Sequence, residues 1–176
     1  PDPHRQMPAS FAHVAEVPVV ETSHSRISVF AGSLLDAGAA APYFSELVGA
    51  DLQVQAKGTV EIPLARSFEH GVLVLEGDGA IDGESLEPRM LYYLGTKRSQ
   101  ATFTSRAGAR VLLIGGPPFP EPILMWWNFV ARTPEEIAQA RDDWEQHRRF
   151  GDVPAYAGPR LTAPSLLRFA RANPAS

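Results

Sequence analysis

The sequence contains no cysteine, so it can form no disulfide and supplies neither a thiolate nucleophile nor a thiolate metal ligand. That composition suits a reducing compartment, and a cytoplasmic location is expected. A long apolar run is also missing. The longest, Ile123 to Ala131, is interrupted by Asn128 and falls short of the ~20 residues that cross a bilayer as a helix, so no membrane role is expected. There is no excess of positive charge: 16 Lys and Arg against 20 Asp and Glu give a net charge of -4. Such a chain has no field for gathering a phosphate backbone, and direct nucleic-acid binding is not expected. No basic stretch followed by an apolar one opens the chain, so no signal peptide is read. An initiator methionine is absent too, and Pro1-Asp2-Pro3 reads as the interior of a longer sequence.

What is present is an ordinary globular composition, 44% hydrophobic and 20% charged over 176 residues, enough for one sizeable core with tails. Pro1, Pro3, Pro8 and Pro18 remove backbone donors and push their predecessors toward extended geometry; residues 1–24 are therefore expected to form an extended interdomain arm. From residue 25 to 132 short apolar runs alternate with glycine, proline and charged turns, the pattern of a barrel or sandwich. Strands are expected at Ile27 to Phe30, Leu52 to Ala56, Thr59 to Ile62, Gly71 to Leu75, Leu91 to Leu94, Ala101 to Thr104 and Arg110 to Ile114. Asp82-Gly83 suits a type I′ hairpin turn, in which glycine accepts positive φ without a Cβ clash, and Lys57-Gly58 is a second candidate. Residues 33–49 read as a loop with one helical turn at Pro42 to Leu47, and the run from Ile123 to Val130 as a strand.

The clearest local signal is Thr133-Pro134-Glu135-Glu136. The Thr133 hydroxyl can accept from the amide of Glu136, and Pro134 fits the first helical position. Ile137, Ala138, Ala140 and Trp144 give that helix an apolar stripe, with His147, Arg148 and Arg149 at its negative end before Gly151. Residues 133–176 are thus expected to be a helix and tail docked on the barrel, with a last short helix between Pro164 and Ala172.

The stretch from Phe68 to Gly79, with Leu75-Glu76-Gly77 at its centre and Asp82-Gly83 and Leu86-Glu87-Pro88 after it, resembles the first motif of the cupin superfamily. Gly115-Gly116-Pro117-Pro118-Phe119-Pro120-Glu121-Pro122-Ile123, followed by Trp126-Trp127-Asn128-Phe129-Val130 and Thr133-Pro134-Glu135-Glu136-Ile137, resembles the C-terminal signature of the pirin family. Phe11 to Val19 is similar to the segment leading into the second pirin barrel. The resemblance implies a mainly β fold, a cupin-type double-stranded β-helix or jelly-roll barrel with a C-terminal α-helix. It also implies an N-terminal cupin domain of the same protein as partner. That domain would hold iron with histidines and one glutamate, with quercetin 2,3-dioxygenase-like activity in some members; others are transcriptional cofactors that bind proteins. On that reading this chain is the C-terminal barrel, with no catalytic residue, metal or cofactor of its own.

Registering on Leu75-Glu76-Gly77 puts the paired-histidine positions of a metal-bearing cupin at Leu64 and Arg66 and its glutamate at His70, and registering the second motif on Leu86 to Leu94 puts its histidine near Gln100. An arginine cannot be deprotonated in a protein, and its charge repels a divalent cation. Arg66, His70 and Gln100 could instead form a small polar pocket for an anion or enolate-like ligand. The favoured alternative is that they fill the barrel interior and satisfy one another, and a one-residue slip would turn His70 to the opposite face. His4, His13 and His24 are too irregularly spaced for a metal motif. Ser23-His24-Ser25 with Asp142 and Asp143 lacks the Gly-x-Ser-x-Gly elbow of a hydrolase. Trp126 and Trp127 would face opposite sides of a strand, which makes them candidates for docking against the N-terminal barrel or another protein, with core packing the alternative.

Overall fold

Inward β-branched and aliphatic side chains dictate most of the first 118 residues. On the strand Glu69–Gly77, for example, His70, Val72 and Val74 are buried while their neighbours are not, the period of two that a half-buried strand requires. The computed structural model describes residues 7, 8, 10–166 and 170–172. Within them the chain divides into two units, one ending at Pro118 and one beginning at Phe119. The division falls before the run from Ile123 to Val130, inside the span 25–132 expected for the barrel.

The first unit contains eleven strands: β1 (Val19–Glu21), β2 (Ser25–Leu34), β3 (Ala37–Gly38), β4 (Val48–Val54), β5 (Thr59–Pro63), β6 (Glu69–Gly77), β7 (Gly79–Ile81), β8 (Glu84–Leu86), β9 (Leu91–Gly95), β10 (Gln100–Thr104) and β11 (Ala109–Gly116). They form a seven-stranded sheet in the order β1-β2-β4-β11-β6-β9, with β3 on β2, and a four-stranded sheet in the order β5-β10-β7-β8. One apolar cluster takes side chains from both, among them Ile27, Leu52, Val72 and Leu113 from the larger sheet and Ile62, Ile81 and Phe103 from the smaller. Burying each such side chain contributes roughly 1.5–3 kcal/mol. This is the expected jelly-roll barrel. All seven expected strands form, and Asp82 and Gly83, at φ 50° and 89°, make the hairpin turn between β7 and β8. The turn at Lys57-Gly58 places only Lys57 in the left-handed region, φ 58°. Residues 42–47 form bends and not a helical turn. The end of the expected arm is β1, which pairs with β2.

In the second unit the expected single strand from Ile123 to Val130 is a hairpin: β12 (Ile123–Trp126) and β13 (Phe129–Ala131) are antiparallel, joined through Trp127 at φ 49°. Helix α1 (Pro134–Glu145) starts as expected, with Thr133 Oγ1 accepting from the amide of Glu136 at 3.2 Å. It ends before its basic residues. His147 and Arg149 take left-handed φ values of 56° and 61°, and Arg148 folds back onto Asp143 at 3.0 Å, so a local ion pair replaces the expected interaction with the helix end. A strand, β14 (Ala170–Ala172), pairs with β12 where a short helix was expected; the rest of that segment beyond Leu166 lies outside the described residues. Leu124, Phe129, Ile137 and Ala140 form this unit's own buried cluster.

Candidate functional site

Among the described residues, His70 is the one ionisable side chain fully enclosed in the barrel, 2% exposed. Its strand parity sends it inward with Val72 and Val74. It faces Gly115 across the β6–β11 ladder, and there the absence of a side chain is required: a Cβ on Gly115 would lie 2.7 Å from His70 Cδ2 and 2.7 Å from the Glu69 carbonyl oxygen. Phe68 lies beside the imidazole, ring centroids 6.1 Å apart. His70 Nδ1 has no hydrogen-bond partner. Burial pulls the His70 pKa below its ordinary 6.5, because a low-polarity surrounding penalises the charged form. The ring is therefore held neutral near pH 7.

The other two members of the expected pocket do not join it. Arg66 is exposed on the loop between β5 and β6, where its carbonyl accepts from the Lys97 amide at 3.0 Å. Gln100 is exposed at the start of β10, and its side-chain amide donates to Glu61 at 3.4 Å. Ala101 and Phe103 take the inward positions of β10, so strand alternation turns Gln100 out. The three residues thus do not satisfy one another. The fourth position, Leu64, is buried and apolar, 7% exposed.

This donor set does not fit a ferrous ion, which needs several imidazole or carboxylate ligands converging on one point. One neutral imidazole set beside Phe68 and Gly115 cannot supply that. Among the described residues no group of three or more His, Asp and Glu side chains is placed to hold a metal. His13 and His24 are not gathered into such a group; His4 lies outside the described residues. His147 Nδ1 lies 3.8 Å from Asp152.

Trp126 and Trp127 do not face opposite sides. Trp126 ends β12, and Trp127 occupies the hairpin turn, whose left-handed backbone swings its side chain back toward its neighbour. Both rings are half-buried on the second unit's cluster, 6.5 Å apart and inclined at 57°. Trp127 meets Phe129 and Trp144 edge-on, at 5.4 and 5.5 Å, an arrangement favoured by the ring quadrupole. Both indoles are thus engaged within their own unit.

Two polar arrangements escaped the sequence reading. Asp78 accepts from the Ala107 amide at 3.0 Å, the Ser105 hydroxyl at 2.8 Å and Arg106 Nε at 3.1 Å. These bonds, that of the Ala107 amide first, hold its carboxyl well below the usual carboxylate range. They staple the β6–β7 connection to the turn before β11, and an aspartate between two glycines was the only signal. The second is Arg160, whose guanidinium carbon lies 3.8 Å from the Trp144 ring centroid, while Nη1 donates to the Gly151 carbonyl at 2.9 Å and to Asp152 at 3.1 Å. Trp144 Nε1 in turn donates to the Leu161 carbonyl at 2.7 Å. Contacts between an irregular segment and a helix leave no periodic trace in a sequence. An open depression lined by Gln53, Glu76, Gly77, Gly108, Ala109 and Arg110 lies at the opposite end of β6 from His70.

Two facing antiparallel sheets closed around an apolar interior, with a helix following, define a cupin-type barrel. Residues 49–151 match the Pirin C-terminal cupin domain, and the chain belongs to the pirin family. It is 38% identical, over 94% of its own length and 53% of the relative's, to a Pseudomonas aeruginosa protein provisionally described as a quercetin 2,3-dioxygenase. A pirin-like protein of Caulobacter vibrioides is 27% identical over 84% of this chain and 51% of that one. Among solved structures, a quercetin 2,3-dioxygenase from Acinetobacter baumannii superposes with a TM-score of 0.88 at 40% identity, covering 94% of this chain and 56% of that one. The chain spans about half the length of these relatives. No helix among the described residues is long and apolar enough to cross a membrane.

Proposed function

We propose that this chain is the metal-free C-terminal cupin half of a pirin-type bicupin, and that it supports an iron-dependent, quercetin 2,3-dioxygenase-like site in an N-terminal cupin half. The observation that carries this reading is the donor set at His70: a single imidazole, its Nδ1 without a hydrogen-bond partner, beside Phe68 and opposite Gly115, with a buried leucine at a ligand position. A barrel so filled contributes shape and support and not reacting groups. The dioxygenase names among relatives of nearly twice the length supply the activity assigned to the whole. Iron in the N-terminal half would supply the site for dioxygen activation; this chain's contribution is to pack against that half. The absence of cysteine suits a cytoplasmic protein.

The alternative, a protein-interaction module of a transcriptional cofactor acting through Trp126 and Trp127, is weakened by the engagement of both indoles with Phe129 and Trp144. The test is to measure iron and quercetin oxidation for the 176-residue chain alone and joined behind the first half of a full-length relative. Iron and activity should accompany the joined protein only. Stoichiometric iron in the chain alone, or an iron-free and inactive joined protein, defeats the proposal.

A further inference from the structure

On the outer face of the seven-stranded sheet, positions that alternation should make polar carry large apolar side chains. Leu91 and Tyr93 on β9 are 59% and 57% exposed, and Ile114 on β11 and Phe30 on β2 are each 39% exposed. Strand register makes them neighbours. Leu91 stands opposite Leu73, and Leu73 opposite Leu112; in the next row Tyr93 stands opposite Gly71, Gly71 opposite Ile114 and Ile114 opposite Gly49. The two glycines leave room that the neighbouring side chains fill. A Cβ on Gly71 would meet Leu91 Cδ1 at 3.3 Å, and one on Gly49 would meet Phe30 Cε2 at 2.4 Å. The result is a continuous, low apolar surface across five strands, bordered by the Asp51–Arg110 ion pair and by Glu69, which accepts from the Tyr93 hydroxyl at 3.0 Å. The four-stranded sheet behaves differently: its outward positions include Thr59, Glu61, Ser85, Thr102 and Thr104. Chains that act alone rarely expose contiguous apolar patches of this kind.

Strand β9 adds a second irregularity. Among the described residues it pairs with β6 alone, and Leu91 to Gly95 contain no charge and no proline, the features that normally protect an edge.

We infer that this face is the seat of the first half of the full-length protein. The inference rests on the proposal above in one respect, that such a half precedes this chain. The choice of occupant has two supports. The matched domain is a C-terminal one and the chain covers 53% of the Pseudomonas aeruginosa relative, so in that relative the remainder lies ahead of the matched part. The chain also enters this same sheet, as edge strand β1, whose Val19 is 37% exposed. Residues ahead of Val19 therefore leave alongside the sheet that carries the apolar surface.

Hydroxyl-radical labelling read by mass spectrometry tests this. The 176-residue chain alone is compared with the same chain joined through its own arm to the first half of the Pseudomonas aeruginosa relative. Labelling of Leu91, Tyr93, Ile114 and Phe30 should fall several-fold in the joined protein. Leu91→Asp, on an exposed edge position that leaves the barrel folded by circular dichroism, should restore labelling at Ile114 and Phe30. If the joined protein protects other residues while these four keep the rates of the isolated chain, the inference is overturned and the two-half reading survives. If joining protects nothing anywhere, both fall. If the isolated chain sediments as a dimer with the four residues already protected, the occupant is a second copy, and the inference is wrong.

Discussion

The unit ending at Pro118 excludes water with aliphatic side chains from two facing sheets, whereas the unit beginning at Phe119 does so largely with aromatic rings gathered from a hairpin, a helix and an irregular segment. The difference is one of geometry. A jelly roll presents many inward positions at fixed spacing, and β-branched residues fill them in their preferred rotamers. A hairpin and one helix offer few such positions, so large rings and stacked guanidinium groups must cover more area per residue. Arg149 over Phe150 at 4.5 Å and Arg160 over Trp144 at 3.8 Å extend that covering.

The sharpest way to break the comparison is Phe103→Ala. Phe103 is 1% exposed at the centre of the barrel, and its truncation should cost about 3–5 kcal/mol, read as a lower urea midpoint by circular dichroism. A midpoint within error of the parent's would mean that the barrel is not held by that core. Next comes Trp144→Ala, which removes contacts to Trp127, Phe150 and Arg160 and should cost the second unit about 2–3 kcal/mol. Hydrogen exchange should quicken in residues 119–166 and stay unchanged in β2, β4 and β11. Equal loosening of both regions would show that they unfold as one.

Gly115→Ala places a methyl group against His70 and the Glu69 carbonyl and should cost about 1–3 kcal/mol, measured by thermal melting. His70 itself sets a pH dependence with a definite sign. Its pKa is lowered in the folded chain, so below 6.5 the unfolded chain binds a proton that the native one resists. Stability should be complete above that pH and fall as acidification approaches the lower native value. In His70→Leu that decline should be shallower, and an unchanged slope would count against a desolvated imidazole. The smallest effect expected is that of Thr133→Ala, which removes the bond to the Glu136 amide. It should cost about 1 kcal/mol, confined to α1.

Where a residue's neighbours lie within a few positions, the sequence sufficed. The Asp82-Gly83 turn, the Thr133 cap and the inward alternation of Val72 and Val74 all follow from spacing and local chemistry. The candidate pocket was legible only as far as His70. Assigning Arg66 and Gln100 to the same cavity required the pairing of β10 with β5, which sets Gln100 opposite Pro63 on the outward side. The paired tryptophans failed for a related reason: their placement depends on a left-handed turn at Trp127, a conformation that no residue-type preference announces.

By itself, then, the order of residues determined a β-rich barrel or sandwich with a capped helix, because alternation and capping are interactions of near neighbours; the cupin form of that barrel came from the resemblance of its motifs. Only the tertiary structure decided that His70 stands alone opposite Gly115, that both indoles serve one small core, and that Leu91, Tyr93 and Ile114 line up across three strands. Those facts depend on which distant strands meet and in what register, and register is fixed by the packing of the whole sheet.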